Sequence, residues 1–357
     1  MPTLIACRDA DEAAALADAV RTASERRSSL CVVGGDSKRF YGRPSTDEVL
    51  SIAGHRGVIA YEPTELIITA RAGTPVVAIE ALLAEHGQML AFEPPLFGPA
   101  STIGGVVAAG LSGPRRPFAG AVRDFVLGVT VLDGQGRSLR LGGTVVKNVA
   151  GFDGFRLMAG ALGCLGVLLD VSLRVSPRPR AERALSLQLD NAAAATLLTS
   201  LMRRPMPLSG AFHDGEGLNL RLSGADAAVA QAAREIGGED APHQVWDDLR
   251  HMRLQILTAP RLWRLAVPRT AGDLALDGQW LHDWAGAQRW LVTDEAAGRV
   301  RAVAATDGGH ATLFRGACAG EAVFTPLTAP LLALHQRLKA AFDPAGIINP
   351  GRMYAEL

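Results

Sequence analysis

The chain has 357 residues, 48% of them hydrophobic and 20% charged, with 36 Lys+Arg set against 36 Asp+Glu. That length predicts two domains rather than one core, and the composition is that of a packed globular protein rather than a disordered one. Zero formal net charge leaves no basic footprint for nucleic acid and no strongly charged surface for a membrane.

In chain order, the first thirty residues carry Arg8, Asp9, Asp11, Glu12 and Asp18, so they hold no apolar signal core. Asp9 followed by Glu12 predicts a capping box, with Leu16, Val20 and Ala23 on one face of the helix that follows. A buried-strand run over 30–33 leads into Gly34-Gly35-Asp36-Ser37. Short strands are expected over 49–52, 58–61 and 66–70, then a helix over 75–86 with Pro75 in its first turn and Gly87 after its end. Residues 126–132 and 138–141 read as a hairpin around Asp133-Gly134-Gln135-Gly136, and 165–175 as β-rich. Pro177 and Pro179 suit neither a central strand nor a helix, so the domain boundary is expected there.

The second half places all five tryptophans (246, 263, 280, 284 and 290) beyond residue 240. They are expected to pack that domain's core, with a partner-binding surface as the alternative. Helices are expected over 192–203, 225–236, 247–257 and 295–305, and strands over 185–189, 218–222, 290–293 and 311–315. A closing helix over 330–342 would align Leu331, Leu334, Leu338 and Phe342. The longest apolar runs, 106–111 and 161–169, fall well short of the roughly 18 residues a spanning helix needs. Cys7, Cys31, Cys164 and Cys318 are scattered without a C-x-x-C pair. The sequence therefore predicts no iron–sulfur cluster, no structural metal and reduced cytosolic thiols.

Three glycine-rich clusters share one logic: backbone N–H groups can approach phosphate oxygens only where no side chain intervenes. They are Gly34-Gly35-Asp36-Ser37-Lys38, Ser101-Thr102-Ile103-Gly104-Gly105 continuing to Gly110 and Gly113, and Gly160 through Gly166. Neither G-x-x-x-x-G-K-[ST] nor an early G-x-G-x-x-G is present, which excludes a P-loop and a Rossmann fingerprint.

The order of Val32-Val33-Gly34-Gly35-Asp36-Ser37, Pro63-Thr64-Glu65, Ser101–Gly105, Gly120 with Asp124, and Gly160–Gly166 resembles the vanillyl-alcohol-oxidase-type (PCMH-type) FAD domain. More narrowly, several stretches resemble the FAD-binding E-subunit family of bacterial glycolate oxidases. These are Glu93-Pro94-Pro95, Gly113–Pro117, Val122–Gly128, Gly142-Gly143 with Lys147-Asn148-Val149-Ala150-Gly151, Asp343-Pro344 and Asn349–Tyr354. The resemblance is dense over 1–180 and good over 330–357. It implies an α+β fold: a two-subdomain FAD domain (1–180), a smaller α+β cap (181–328), and a C-terminal segment (329–357) packing back on the FAD domain.

The implied site follows residue by residue. Gly34, Gly35, Asp36, Ser37 and Lys38 would cradle the pyrophosphate. Ser101, Thr102, Ile103, Gly104, Gly105, Gly110 and Gly113 would line the flavin and ribityl chain, and Gly163, Gly166 and Val167 the adenine side. Asn349 would return to the flavin, and Pro95, Arg115, Gly120 and Asp124 complete the FAD set. Relatives often tether FAD through a histidine after the glycine pair; Asp36 stands there, which implies a non-covalent cofactor. Where relatives read Gly-Ser-Glu-Gly-Thr-Leu-Gly, this chain has Gly-Ala-Leu-Gly-Cys-Leu-Gly.

Oxidising a 2-hydroxy acid requires a base and a cation for the carboxylate. The eight histidines (55, 86, 213, 243, 251, 282, 310 and 335) form no adjacent pair and no H-E-x-x-H, and solitary ones such as His251 and His335 read as satisfied imidazoles. Arg115 and Arg116, between two prolines, are the anion candidates, with solvated loop arginines as the alternative. The resemblance implies oxidation of glycolate to glyoxylate in a complex with a homologous flavin subunit and an iron–sulfur subunit passing electrons to quinone. It implies a cytoplasmic subunit that meets the membrane only through partners. A free-standing FAD oxidoreductase on another hydroxy acid and a non-catalytic flavin scaffold are the alternatives.

Overall fold

A computed structural model describes residues 9–45, 47–144, 152–317 and 320–357. Cys7, Cys318 and the Lys147–Gly151 motif lie outside the described residues. The first half is built on a five-stranded antiparallel sheet, in the order Val58–Glu62, Ile67–Arg71, Val167–Arg174, Val126–Leu132 and Ser138–Gly142. Val126–Leu132 and Val167–Arg174 are buried almost throughout, and send Val129, Val131, Val171 and Leu173 into a core shared with Ile79, Leu83, Ile103 and Val107. A parallel pair, Leu30–Val33 with Glu48–Ser51, stands beside it.

The hairpin turns where the sequence places it. Asp133 Oδ1 accepts from the N–H groups of Gln135 and Arg137, and Gly136 takes φ +70°. Gly87 likewise follows the helix Val76–Glu85 with φ +63°.

An eight-stranded antiparallel sheet organises the second half. Its order is Glu239–Asp240, Ala181–Leu187, Leu218–Gly224, Leu208–His213, Gln279–Asp283, Gln288–Val292, Leu262–Ala266 and His310–Arg315. One face carries Phe212, Leu281, Trp290 and Phe314, which pack with Tyr41, Ala109 and Leu111 from the first half. The other face lies under the helices Asn191–Leu201, Asp226–Ile236 and Ala297–Thr306. Trp246, Trp263, Trp284 and Trp290 are all buried, in accord with the core-packing expectation.

The last segment returns to the first. Leu30 N–H donates to Ile347 O, and Asn349 N–H donates to Leu30 O.

The structure corrects several expectations. The first helix is Ala13–Arg26 with Glu12 at its N-cap and no side-chain cap. Glu12 N–H donates instead to His55 Nδ1, a partner 43 residues away. The helix expected over 247–257 is broken: an α-helix over Gln244–Arg250 gives way at Met252, φ +59°, to a 3₁₀ turn over Gln255–Thr258. Strands Leu208–His213, Leu262–Ala266 and Gln279–Asp283 were not foreseen; the first is buried on both faces and shows no alternation. On the closing helix Ala329–Phe342, Leu331 and Leu334 are about half exposed, while Lys339 is buried. There Lys339 Nζ donates to Cys164 O, Ile348 O and Asp343 Oδ2.

Candidate functional site

Three distant segments converge on one cavity of about 100 Å³. The strand Leu30–Val33 opens into Gly34–Lys38. Behind it runs the short helix Ile103–Ala109, unforeseen within the second glycine cluster, whose N-cap Thr102 accepts from Gly105 N–H. The tail supplies Asn349 and Arg352.

The glycines here answer to chain crossing. A Cβ on Gly34 would stand 2.2 Å from Thr102 Oγ1, and one on Gly35 1.5 Å from the Ala100 carbonyl oxygen. A Cβ on Gly104 would stand 2.6 Å from that of Ala72. Gly105 differs: it lines the cavity, and a Cβ there would meet only Thr102 Oγ1, at 3.2 Å. The two loops thus meet without side chains between them and leave backbone facing an open cradle. That is the property a bulky phosphate-bearing group requires.

The donors around this cradle are fixed from behind. Lys38 Nζ donates to Ser101 Oγ at 2.6 Å, and burial lowers its pKa to about 8. Asp36 has φ +53°, and its carboxylate accepts from Arg39 Nε at 2.7 Å. Asn349, in the left-handed region at φ +46°, joins three segments: its Oδ1 accepts from Val32 N–H at 2.7 Å, and its Nδ2 donates to Leu162 O at 2.8 Å. Arg352 Nη2 donates to the carbonyls of Arg39 and Tyr41, clamping the loop after Lys38 from the tail.

Of the sequence-expected residues, Gly34, Gly35, Asp36, Ser37, Lys38, Thr102, Gly105 and Asn349 line this cavity, and Ser101 stands behind Lys38. The others do not line it. Ile103 and Val167 are fully buried in the core. A Cβ on Gly110 would press on Gly160, one on Gly113 on the Glu93 carbonyl, one on Gly163 on Asn349 Nδ2, and one on Gly166 on the Leu132 carbonyl. Gly120 takes φ +110° beside Asp124, whose Oδ2 accepts from Ala121 N–H. Cys31, Arg39, Tyr41, Leu162 and Arg352 line the cavity without having been foreseen. Arg352, inside the quoted tail motif, was the legible one.

Arg115 is not presented to that cavity. Its Nε donates to Glu93 Oε1 at 3.1 Å and its Nη2 to Glu182 Oε1 at 2.6 Å, while Arg221 Nη2 donates to Glu93 Oε2 at 2.9 Å. Burial raises the Glu93 pKa, but Arg221 and Arg115 outweigh it and hold the carboxyl below its ordinary value. Arg116 instead stacks 4.1 Å over the Trp284 ring. Pro95 lines a separate small cavity of about 20 Å³ with Asp283, Arg264 and Trp290. Asp283 is fully enclosed, and burial raises its pKa to about 7. His251 Nδ1 accepts from Leu96 N–H, and burial lowers its pKa to about 4. Among the described residues no His, Cys, Asp and Glu cluster could hold a metal ion, and no helix is long and apolar enough to cross a membrane.

Residues 6–142 match the FAD binding domain model, and residues 323–353 the C-terminal domain of FAD linked oxidases. The Escherichia coli (strain K12) glycolate oxidase subunit GlcE is 46% identical over 351 residues, 98% of this chain and 99% of that protein. The Bacillus subtilis (strain 168) glycolate oxidase subunit GlcD is 31% identical over 150 residues, 41% of this chain and 32% of that protein. Among solved structures, an alkyldihydroxyacetonephosphate synthase superposes with a TM-score of 0.66 at 15% identity, covering 94% of this chain and 75% of the other. This likeness concerns the fold, which is PCMH-type.

Proposed function

The chain belongs to the family of the glycolate oxidase subunit GlcE, and we propose that it is the FAD-holding subunit of an assembly that oxidises glycolate to glyoxylate. One observation carries the reading. The Gly34–Lys38 loop, the Thr102–Gly105 turn and the Asn349–Arg352 tail meet at one cavity, where the glycine loop crosses Ala100 and Thr102 with no room for a Cβ. Ser37 and Lys38 would meet the pyrophosphate beside the loop's backbone N–H groups. Residues 101–113 would lie along the ribityl chain and flavin, and residues 163–167 on the adenine side. Asn349 would fix the loop's position.

FAD, when bound, accepts the two electrons and the hydrogen that leave the hydroxy acid's C2. The chain's own part is to hold the cofactor, to exclude water with Tyr41, Leu162 and Ala108–Ala109, and to seat the eight-stranded sheet over the loop at Leu111. Asp36 can form no bond to the flavin ring, so the cofactor is held non-covalently. Arg115 acts as a bridge between the 93–115 region and the sheet, which leaves Arg116 as the arginine free to meet an anion.

Electrons would leave through a homologous flavin subunit and an iron–sulfur subunit to quinone. The described residues offer no relay of their own, and contact with the membrane would come through those partners. The boundaries at 180 and 328 would then separate the cofactor-holding part from the cap.

The test is a steady-state assay of the purified chain, with and without its partner subunits, against glycolate and D-lactate with a dye acceptor. FAD should appear in the supernatant after acid precipitation, and turnover should require the partners. Turnover by the lone chain at about 1 per second or more would favour a free-standing oxidoreductase. Flavin left in the pellet would overturn the non-covalent reading.

A further inference from the structure

A larger cavity, about 230 Å³, opens on the face of the eight-stranded sheet turned away from Tyr41 and Leu111. It lies at the seam of the sheet, where Leu208–His213 meets Gln279–Asp283 through the pair His213 and His282. The helix Asn191–Leu201 and the segment 269–273 cover it.

Its polar groups are oriented by a chain of hydrogen bonds with one consistent direction. Asp273 can only accept, so Asn191 Nδ2 donates to it, and Asn191 Oδ1 accepts from His282 Nδ1 at 2.7 Å. The proton is thereby placed on Nδ1, and His282 Nε2 is an acceptor with no protein partner among the described residues. Burial, reinforced by Arg289 and His213, holds the His282 pKa at about 4, so the ring is neutral at ordinary pH.

The second group is Arg269. Its Nη1 donates to Thr199 Oγ1, and its Nε and Nη2 make no protein hydrogen bond among the described residues. That edge is the two-pronged one that suits a carboxylate. Beneath it Arg289 is buried, its donors given to the carbonyls of Gly286, Gly272 and Ala271. Neither arginine has an ion-pair partner within 4.0 Å among the described residues, and against the one lining carboxylate, Asp273, the two leave the cavity with a positive balance.

We propose that this cavity binds a small 2-hydroxycarboxylate, its carboxylate on Arg269 and its hydroxyl donating to His282 Nε2. The site is separate from the FAD cradle, and its reading stands whether or not that assignment holds. Acetate, which lacks the hydroxyl, brings no donor and leaves Nε2 unpaired, so the cavity discriminates the hydroxy acid from the simple carboxylate.

The test is calorimetric titration of the full chain, FAD-loaded and FAD-stripped, with glycolate, acetate and inorganic phosphate. Saturable glycolate binding is expected in both forms, at least about tenfold tighter than acetate or phosphate. Arg269→Gln and His282→Phe should each weaken it about tenfold or more, with absorbance at 450 nm per chain unchanged. In the unaltered chain, glycolate should shift the ring signals of ¹³C-labelled His282, a readout that needs no substitution. Absence of saturable binding, equal affinity for acetate or phosphate, or undiminished affinity in both variants would overturn the proposal.

Discussion

Replacing Arg115 tests whether that residue is an internal bridge or a substrate clamp. Arg115 and Glu93 are each under one-tenth exposed. Arg115 joins Glu93 to Glu182, and Arg221 joins Glu93 from the sheet. Arg115→Met keeps the volume of the stem but removes two charge-assisted side-chain hydrogen bonds, to Glu93 and Glu182, and leaves Glu93 with Arg221 as its ion-pair partner. Breaking one member of a buried pair costs about 3–5 kcal/mol. For a chain of this length unfolding as one unit, that lowers Tm by roughly 4–7 °C.

Acid adds a second signature. The Glu93 pKa is depressed in the folded protein, so its contribution is present above the unfolded value and is lost as pH falls through the folded one. Removing Arg115 should shrink that acid-side loss. The assays are urea unfolding between pH 3 and 8 and the flavin content of the same preparations. A variant with unchanged unfolding and unchanged acid dependence, but with activity of the assembled enzyme abolished, would refute the bridge and return Arg115 to the substrate.

Asn349→Ala strands Val32 N–H and Leu162 O, two partly buried backbone groups, at up to about 1–3 kcal/mol each, and should lower FAD occupancy; equilibrium dialysis checks it. Thr102→Ala removes the N-cap acceptor and should cost about 1 kcal/mol without abolishing FAD binding. Gly35→Val should instead abolish it together with the fold, because the side chain collides with the Ala100 carbonyl; native circular dichroism with bound flavin would contradict this. Lys38, with its pKa lowered to about 8, should make FAD affinity fall above that pH, and Lys38→Met should flatten the profile. The Asp283 pKa is raised to about 7, so its contribution is full below the unfolded value and lost as pH rises through 7. Asp283→Asn should therefore reduce the decline in stability between roughly pH 4 and 7.

The parts legible in the sequence were those determined by neighbouring residues. The Asp133–Gly136 turn carries its own hydrogen bonds, and the amphipathic face of Ala13–Arg26 is read from spacing alone. The glycine clusters were legible as loops, but their reason was not: Gly35 is glycine because Ala100, 65 positions away, crosses it. Glu12 was misread as part of a local cap because its backbone partner is His55. Arg115 looked like a solvent-facing anion site between two prolines, since nothing nearby in sequence announces Glu182 or Arg221. The strand Leu208–His213 was missed because burial on both faces erases the period-two signal. Leu331 and Leu334 were placed with Leu338 and Phe342 on spacing alone, yet in the fold they are about half exposed.

The hydrogen bond from Val32 N–H to Asn349 spans 317 residues, and this constrains biosynthesis. At bacterial-to-eukaryotic translation speeds of about 5–20 residues per second, roughly a quarter of a minute to a minute separates the emergence of the two partners. During that interval the glycine loop has been made but its clamp has not, so the apolar wall at Ala108, Ala109 and Leu162 is open to other nascent surfaces. On the proposed reading of the cradle, cofactor loading should wait until residue 352 has left the ribosome. A chain arrested shortly before that point should emerge flavin-free and prone to aggregate, even with every residue of residues 6–142 in place.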